Sequence, residues 1–372
     1  MKSHISYVDG LKSVSAIWVC LLHYVLAFFP VGYIGWECGV ADVEKSSYFF
    51  NNLPMSFFTN SSFPLYTFFA LISFIVSLAY FKKRDIAIVQ RQAIKRYFRL
   101  MPPCLVCSLC CYVLIVGGFM FNEALSISVN SHWAGAFYQN GASLKDVLIS
   151  SLYTIFIDGD GYYCSILWCM NVIFIGSYVV YAILALFGNL KCRWLVYAVS
   201  FLLCVKLRGD YSAFIVGVLA ADIVQGNRLQ LLKRYSLGLI LFGLIIGNFI
   251  PSVSVANWLQ ISVVYAVGNF FVLVGLANCE IAKRLIGSKI LSRVGKYSFS
   301  LILVHFPVMM SFSAWMYLKM RECGLEFWTS LVISWLSSLP VLVLASVLFY
   351  KFVECPSERV ANLLLEKFGC SK

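Results

Sequence analysis

The chain has 372 residues, of which 61% are hydrophobic and only 12% charged, against about 25% charged in ordinary soluble domains. The apolar residues fall in long runs separated by basic stretches, which excludes a large soluble core and predicts a polytopic helical membrane protein. A formal net charge of +12 invites a nucleic-acid reading, but a positive-inside bias accounts for the same charges and predicts none.

The first span, about 11–30, is the most informative. It opens on Asp9-Gly10-Leu11-Lys12 and carries Trp18, Cys20 and His23 before Pro30. Lys12 and His23 are eleven residues apart, which on a helix returns to within roughly 20° with a rise of about 16 Å. The two side chains therefore share a face, lysine near an interface and histidine deep. An ionisable group at that depth costs roughly 2.5–3.5 kcal/mol and marks a functional position. The plain alternative has Lys12 snorkelling to the headgroups and His23 bonded to a neighbouring helix. No cleavable leader is expected, so this span serves as its own insertion signal.

Nine further spans follow: about 62–81, 102–121, 165–187, 194–206, 211–225, 236–250, 258–278, 297–316 and 327–350. The expected fold class is thus all-α, with ten transmembrane helices in residues 1–350 and a basic amphipathic tail in 351–372. The loops on the side of the two termini hold 22 of the 29 Lys and Arg residues, leaving Lys12 aside. This asymmetry predicts both termini in the cytoplasm.

Between the second and third spans lies Lys82-Lys83-Arg84, then Arg91, Lys95, Arg96 and Arg99, then Pro102-Pro103. Arg91, Lys95 and Arg99 recur every four residues, a cationic stripe on a helix with Arg96 beside it. Guanidinium groups chelate phosphate oxygens, so a polyphosphate ligand suits this stripe; anionic-lipid contact is the plainer use. Pro102-Pro103 is expected to break that helix and start the next span.

On the opposite side, 31–61 and 122–164 form two long connections. Asp158-Gly159-Asp160-Gly161 lacks the distal ligands of a calcium loop and is read as a turn. Asn60-Ser61-Ser62 satisfies the glycosylation sequon but lies too close to the second span to serve. Cys104, Cys107, Cys110 and Cys111 sit inside a span and are read as small packing residues, with no metal expected. Cys38, Cys164 and Cys323 are placed where a disulfide can form. The fourth span opens at Trp168, a belt residue. The ninth contains Ser298, Ser300 and the second intramembrane histidine, His305.

In order, these landmarks resemble the acyltransferase-3 family of bacterial membrane acyltransferases: Asp9-Gly10-Leu11-Lys12 with ten residues before His23; Phe68-Phe69-Ala70-Leu71-Ile72-Ser73-Phe74; Arg96-Tyr97-Phe98-Arg99-Leu100-Met101-Pro102; Leu167-Trp168; Ser298 to His305; and Glu354-Cys355-Pro356. The resemblance spans nearly the whole chain and implies a member without a fused extracytoplasmic domain. Three positions depart from the family pattern: Ile173 where a glutamate is usual, Ile72-Ser73 for Ser-Gly, and Phe299 and Ile302 for two tyrosines.

The resemblance implies an O-acyltransferase of a bacterial inner membrane, moving an acyl group, most often acetyl, from cytoplasmic acetyl-coenzyme A to a hydroxyl of an envelope glycan or lipid-linked sugar. His23 is then the catalytic base, and Lys12, Arg91, Arg96 and Arg99 hold the donor. Asp9, Trp168, Ser298, Ser300 and His305 are candidates for substrate contact. The alternatives are a transporter or flippase of a sugar or small solute, for which an internal repeat is expected and none is found, and a non-catalytic acyltransferase-like sensor.

Overall fold

The computed structural model describes residues 5–30, 60, 62–226, 230–248 and 258–367. Cys38, most of the first external connection and the end of the tail lie outside them. Among the described residues the chain is helical throughout, without strands. The principal helices are α1 (Ser6–Phe28), α2 (Ser62–Lys83), α3 (Ile86–Val116), α4 (Trp168–Phe187), α5 (Arg193–Leu207), α6 (Ser212–Gln225), α7 (Ser236–Asn248) and α8 (Trp258–Asn278). After these come α9 (Glu280–Ile286), α10 (Lys289–Gly295), α11 (Ser298–Val308), α12 (Ala314–Glu322), α13 (Phe327–Phe349) and α14 (Cys355–Lys367). Among the described residues, seven segments are long and apolar enough to cross a membrane. They coincide with the expected first four and last three spans. The other three are α5, α6 and α7, helices of 15, 14 and 13 residues. At 1.5 Å per residue each is about 20–22 Å long, short of a hydrocarbon core of about 30 Å.

The start of α1 lies flush against the pair α9 and α10 because two glycines remove the side chains that would hold them apart. A Cβ on Gly10 would meet the Ile286 carbonyl oxygen at 1.7 Å, and one on Gly295 the Asp9 carbonyl oxygen at 2.1 Å. Ser13 Oγ hydrogen-bonds across this contact to the Leu291 carbonyl. The helix stops at Phe28, just before Phe29-Pro30, as the conformational restriction of a pre-proline residue requires.

The second helix starts on a side-chain cap. Asn60 Oδ1 accepts from the amides of Ser62 and Phe63 at 3.0 and 3.1 Å, while its Nδ2 donates to the Gly247 carbonyl on α7 at 3.0 Å. The sequon asparagine is therefore a buried N-cap, which is what its side chain does best at that position.

The expected break at Pro102-Pro103 does not occur. Both prolines lie inside α3, a continuous 31-residue helix capped at its start by Asp85. Proline removes an intrahelical hydrogen bond, but in a membrane bundle neighbouring groups meet the freed carbonyls and the helix continues. The consequence is functional: the cationic stripe and the third span are one rod about 46 Å long.

Two other spans bend where the backbone ladder is interrupted. Pro307 in α11 is followed by a π turn over Met309–Ser313 before α12. A second π turn, Tyr350–Glu354, joins α13 to α14. Such turns are a recognised cause of kinks. The freed Met310 carbonyl is met from outside the helix by the amide of Phe121 at 2.8 Å. Tyr24 Oη, Ser313 Oγ and Ser338 Oγ form a buried chain with 2.8 and 2.6 Å links, pinning α1 to the first π turn and α13. The tail helix α14 packs on α3, with Lys95 Nζ donating to Asn362 Oδ1 at 3.0 Å.

Asp158-Gly159-Asp160-Gly161 is a turn, as expected, with Gly159 at φ +77°. The Asp160 carboxylate is held by Ser150 Oγ, Thr154 Oγ1 and the Tyr162 amide. A polar network joins the outer ends of four segments: Arg208 donates to Asn171 Oδ1 at 2.7 Å and to Asp210 Oδ2 at 3.0 Å, and Tyr66 Oη lies 2.7 Å from Asp210 Oδ1. Arg193 grips the Asp222 carboxylate with two nitrogens, at 2.5 and 2.7 Å, fixing α5 to α6.

Candidate active site

His23 and His305 are brought together from opposite ends of the chain. His23 Nδ1 lies 2.9 Å from His305 Nε2, and His305 Nδ1 lies 3.2 Å from the Leu301 carbonyl oxygen one turn earlier in α11. A carbonyl can only accept, so the hydrogen-bond network assigns the His305 proton to Nδ1. In the neutral ring Nε2 is then an acceptor, and His23 donates to it from Nδ1. His23 Nε2 is left with its lone pair and has no hydrogen bond among the described residues. One backbone carbonyl thus sets the tautomers of both rings and leaves the lone pair of His23 on Nε2.

The two imidazoles meet edge to edge: their planes differ by 11°, and centroids 5.1 Å apart with nitrogens 2.9 Å apart leave no face-to-face overlap. Trp133 lies nearly parallel to the His23 ring, with centroids 5.7 Å apart and 4° between the planes. Trp133 sits on a one-turn helix, His132–Gly135, in the connection between α3 and α4. Its N-cap Ser131 donates to the Leu26 carbonyl at 3.1 Å, tying that turn to the end of α1. Phe137 and Phe306 pack edge-on to Trp133 at 5.0 and 5.9 Å. His305 is completely buried, whereas His23 is partly exposed. Trp133 was not among the residues singled out from the sequence: its connection also holds Phe137, Tyr138, Tyr162 and Tyr163, so no local pattern separates it from its aromatic neighbours.

Lys12 stands on the same face of the unbroken α1, about 16 Å below His23. It pairs with Asp9, Nζ to Oδ1 3.0 Å. Nearby, the buried Glu354 accepts from Ser300 Oγ at 2.7 Å and is in electrostatic contact with Arg99 and Lys12. This joins α1, α3, α11 and the second π turn in one charged cluster at the Lys12 level. Ser300 therefore serves that cluster and not the histidines: five residues separate it from His305, which turns it about 140° away on the helix. Ser298 donates to the Gly295 carbonyl at 2.9 Å and likewise does not reach His305.

The cationic stripe divides. Arg91 turns back on its own helix, donating to the Ala87 carbonyl at 3.1 Å and lying 3.8 Å from Asp85. Lys95 faces α14. Arg96 turns inward to α4, where Nη2 reaches the Ile173 carbonyl at 3.4 Å and the buried Nε has no partner among the described residues. Arg99 lies in electrostatic contact with Arg96. Where the sequence pattern led one to look for a glutamate, Arg96 thus meets a backbone oxygen and an isoleucine side chain that carries no charge. Trp168 is the first residue of α4, partly buried against the core, and contacts neither histidine.

The arrangement brings together a histidine with a free ring nitrogen of defined tautomer and, toward the end of the bundle where Lys12 lies, two guanidinium groups on α3. A scan against family models matches residues 5–351 to the acyltransferase-3 family, described as an acyltransferase domain. Comparison with curated proteins and with solved structures gives no match.

Proposed function

Because the chain belongs to the acyltransferase-3 family and is a multi-pass membrane acyltransferase, we propose that it transfers an acyl group, acetyl first among candidates, from cytoplasmic acyl-coenzyme A to a hydroxyl of a cell-envelope glycan or lipid-linked sugar in a bacterial inner membrane. The observation that carries this reading is the His23–His305 pair, which leaves His23 Nε2 free to act as base.

The chemistry runs as follows. The acceptor hydroxyl gives its proton to His23 Nε2 as its oxygen attacks the thioester carbonyl. The imidazolium that forms keeps its Nδ1–H bond to His305, now charge-assisted and stronger. Collapse of the tetrahedral intermediate breaks the carbon–sulfur bond, and the coenzyme A thiolate takes the proton back from His23. Arg96 and Arg99 hold the donor's phosphates on the cytoplasmic side, with Lys12 and Arg91 at the margin. The unpartnered Nε of Arg96 supports this, since a buried guanidinium favours an anion that completes its hydrogen bonds. The distance of about 16 Å along α1 separates the anchored end of the donor from its reactive end.

Membranes containing the protein, incubated with acyl-labelled acetyl-coenzyme A, should place covalent label on a saccharide. Translocation of solute without label would instead indicate a carrier, and donor binding without transfer a sensor. Donor binding by the protein with both Arg96→Ala and Arg99→Ala should weaken, most at low salt; unchanged affinity would remove the arginines from the donor site.

A further inference from the structure

Three cysteines that the acyl-transfer chemistry does not use converge in the core. Cys107 and Cys111, one turn apart on α3, meet Cys164 from the segment just before α4. All three are buried, and their sulfurs lie within 4.8 Å of one another. Cys164, expected where a disulfide can form, is a buried free thiol beside two thiols of α3; Cys38 lies outside the described residues. The reading of the α3 cysteines as packing residues considered Cys104, Cys107, Cys110 and Cys111 as neighbours in sequence. Cys110 is in fact exposed on another face, and the third sulfur comes from 53 positions beyond Cys111.

A fourth donor atom completes the group. Pro307 has no amide hydrogen, so the Leu303 carbonyl four residues earlier in α11 loses its intrahelical partner. Its oxygen faces the thiols instead, 3.4 Å from Cys107 Sγ and 4.0 Å from Cys164 Sγ. One thiol would satisfy that oxygen, yet three sulfurs surround the region. For a tetrahedral ion with metal–sulfur bonds of about 2.3 Å and a metal–oxygen bond of about 2.1 Å, sulfurs stand about 3.8 Å apart and sulfur–oxygen pairs about 3.6 Å. The two measured sulfur–oxygen separations bracket that value, and the sulfurs need to close by an ångström at most.

We propose that Cys107, Cys111 and Cys164, with the Leu303 carbonyl oxygen, form a binding site for a soft, thiophilic metal ion of the zinc and cadmium class. Sulfur ligands select such ions over hard cations. Binding a divalent ion exchanges three thiol protons for three metal–sulfur bonds, and the protons pass to solvent. The metal–thiolate group carries one net negative charge, and His305 is in electrostatic contact with Cys164. Such an ion would lock α3, α11 and the start of α4 together directly beside the histidine pair.

The test uses the full chain, purified in detergent, kept reduced with a phosphine, stripped with chelator and desalted. Cadmium ion is titrated in, and the thiolate-to-cadmium ultraviolet absorption is read with the metal retained after a second desalting. The expected result is one retained cadmium per chain with a thiolate band. Cys164→Ser should lower retention at least tenfold, and Cys110→Ser should leave it unchanged. Absence of stoichiometric retention or of the band in the wild-type chain overturns the proposal without recourse to a variant. So does equal retention in a well-folded Cys164→Ser protein, or a comparable loss in Cys110→Ser.

Discussion

Replacing His305 by alanine isolates the role of the partner histidine. The substitution removes the acceptor 2.9 Å from His23 Nδ1 and leaves that N–H without a partner. An unsatisfied buried donor costs about 1–3 kcal/mol. The penalty falls mostly on the transition state, where His23 becomes an imidazolium and the lost bond is charge-assisted. At 1.36 kcal/mol per tenfold in rate, kcat should fall by about 5- to 150-fold. The KM for acyl-coenzyme A should hardly move, because Arg96 and Arg99 are on α3, away from the substitution. His305→Gln, which retains an acceptor oxygen, should recover part of the loss. Steady-state kinetics with labelled donor in detergent, on variants shown to be monodisperse, gives both parameters. A kcat within about twofold of wild type, or a loss confined to KM, would refute the tautomer argument.

Two other perturbations probe different parts of the account. Trp133→Ala removes the ring that lies parallel to His23 and should raise the KM for the acceptor more than that for the donor; equal effects on the two would place Trp133 in structure alone. Gly217→Ala puts a Cβ 2.0 Å from Ser73 Oγ and 2.3 Å from the Ala70 carbonyl oxygen. The backbone contact forces α6 away from α2, so thermal unfolding in detergent should show destabilisation of about 1–3 kcal/mol, and an unchanged transition would mean that this contact is looser than described.

What the sequence could show follows from the range of the interactions concerned. Helical class, the long spans and the shared face of Lys12 and His23 depend on local composition and period, and all are present in the structure. Both histidines were placed within spans, but their contact joins residues 282 positions apart, and no local pattern encodes it. Pro102-Pro103 misled because the proline penalty is local while the compensation comes from neighbouring helices. Ser300 was a candidate for substrate contact, yet Glu354, from the π turn that follows α13, takes its hydroxyl. The departure at Ile173 gained a meaning only when Arg96 was found against that residue's carbonyl. The thiol group was hidden for the same reason as the histidine pair: one of its members comes from another segment.

The central claim is that His23 Nε2 takes the acceptor's proton. Single-turnover transfer from labelled acetyl-coenzyme A to acceptor glycan, measured for wild type and for His23→Ala with donor binding checked in parallel, tests it most directly. The account predicts that the variant binds donor as wild type does and transfers at least about a hundredfold more slowly. Transfer at the wild-type rate would contradict it.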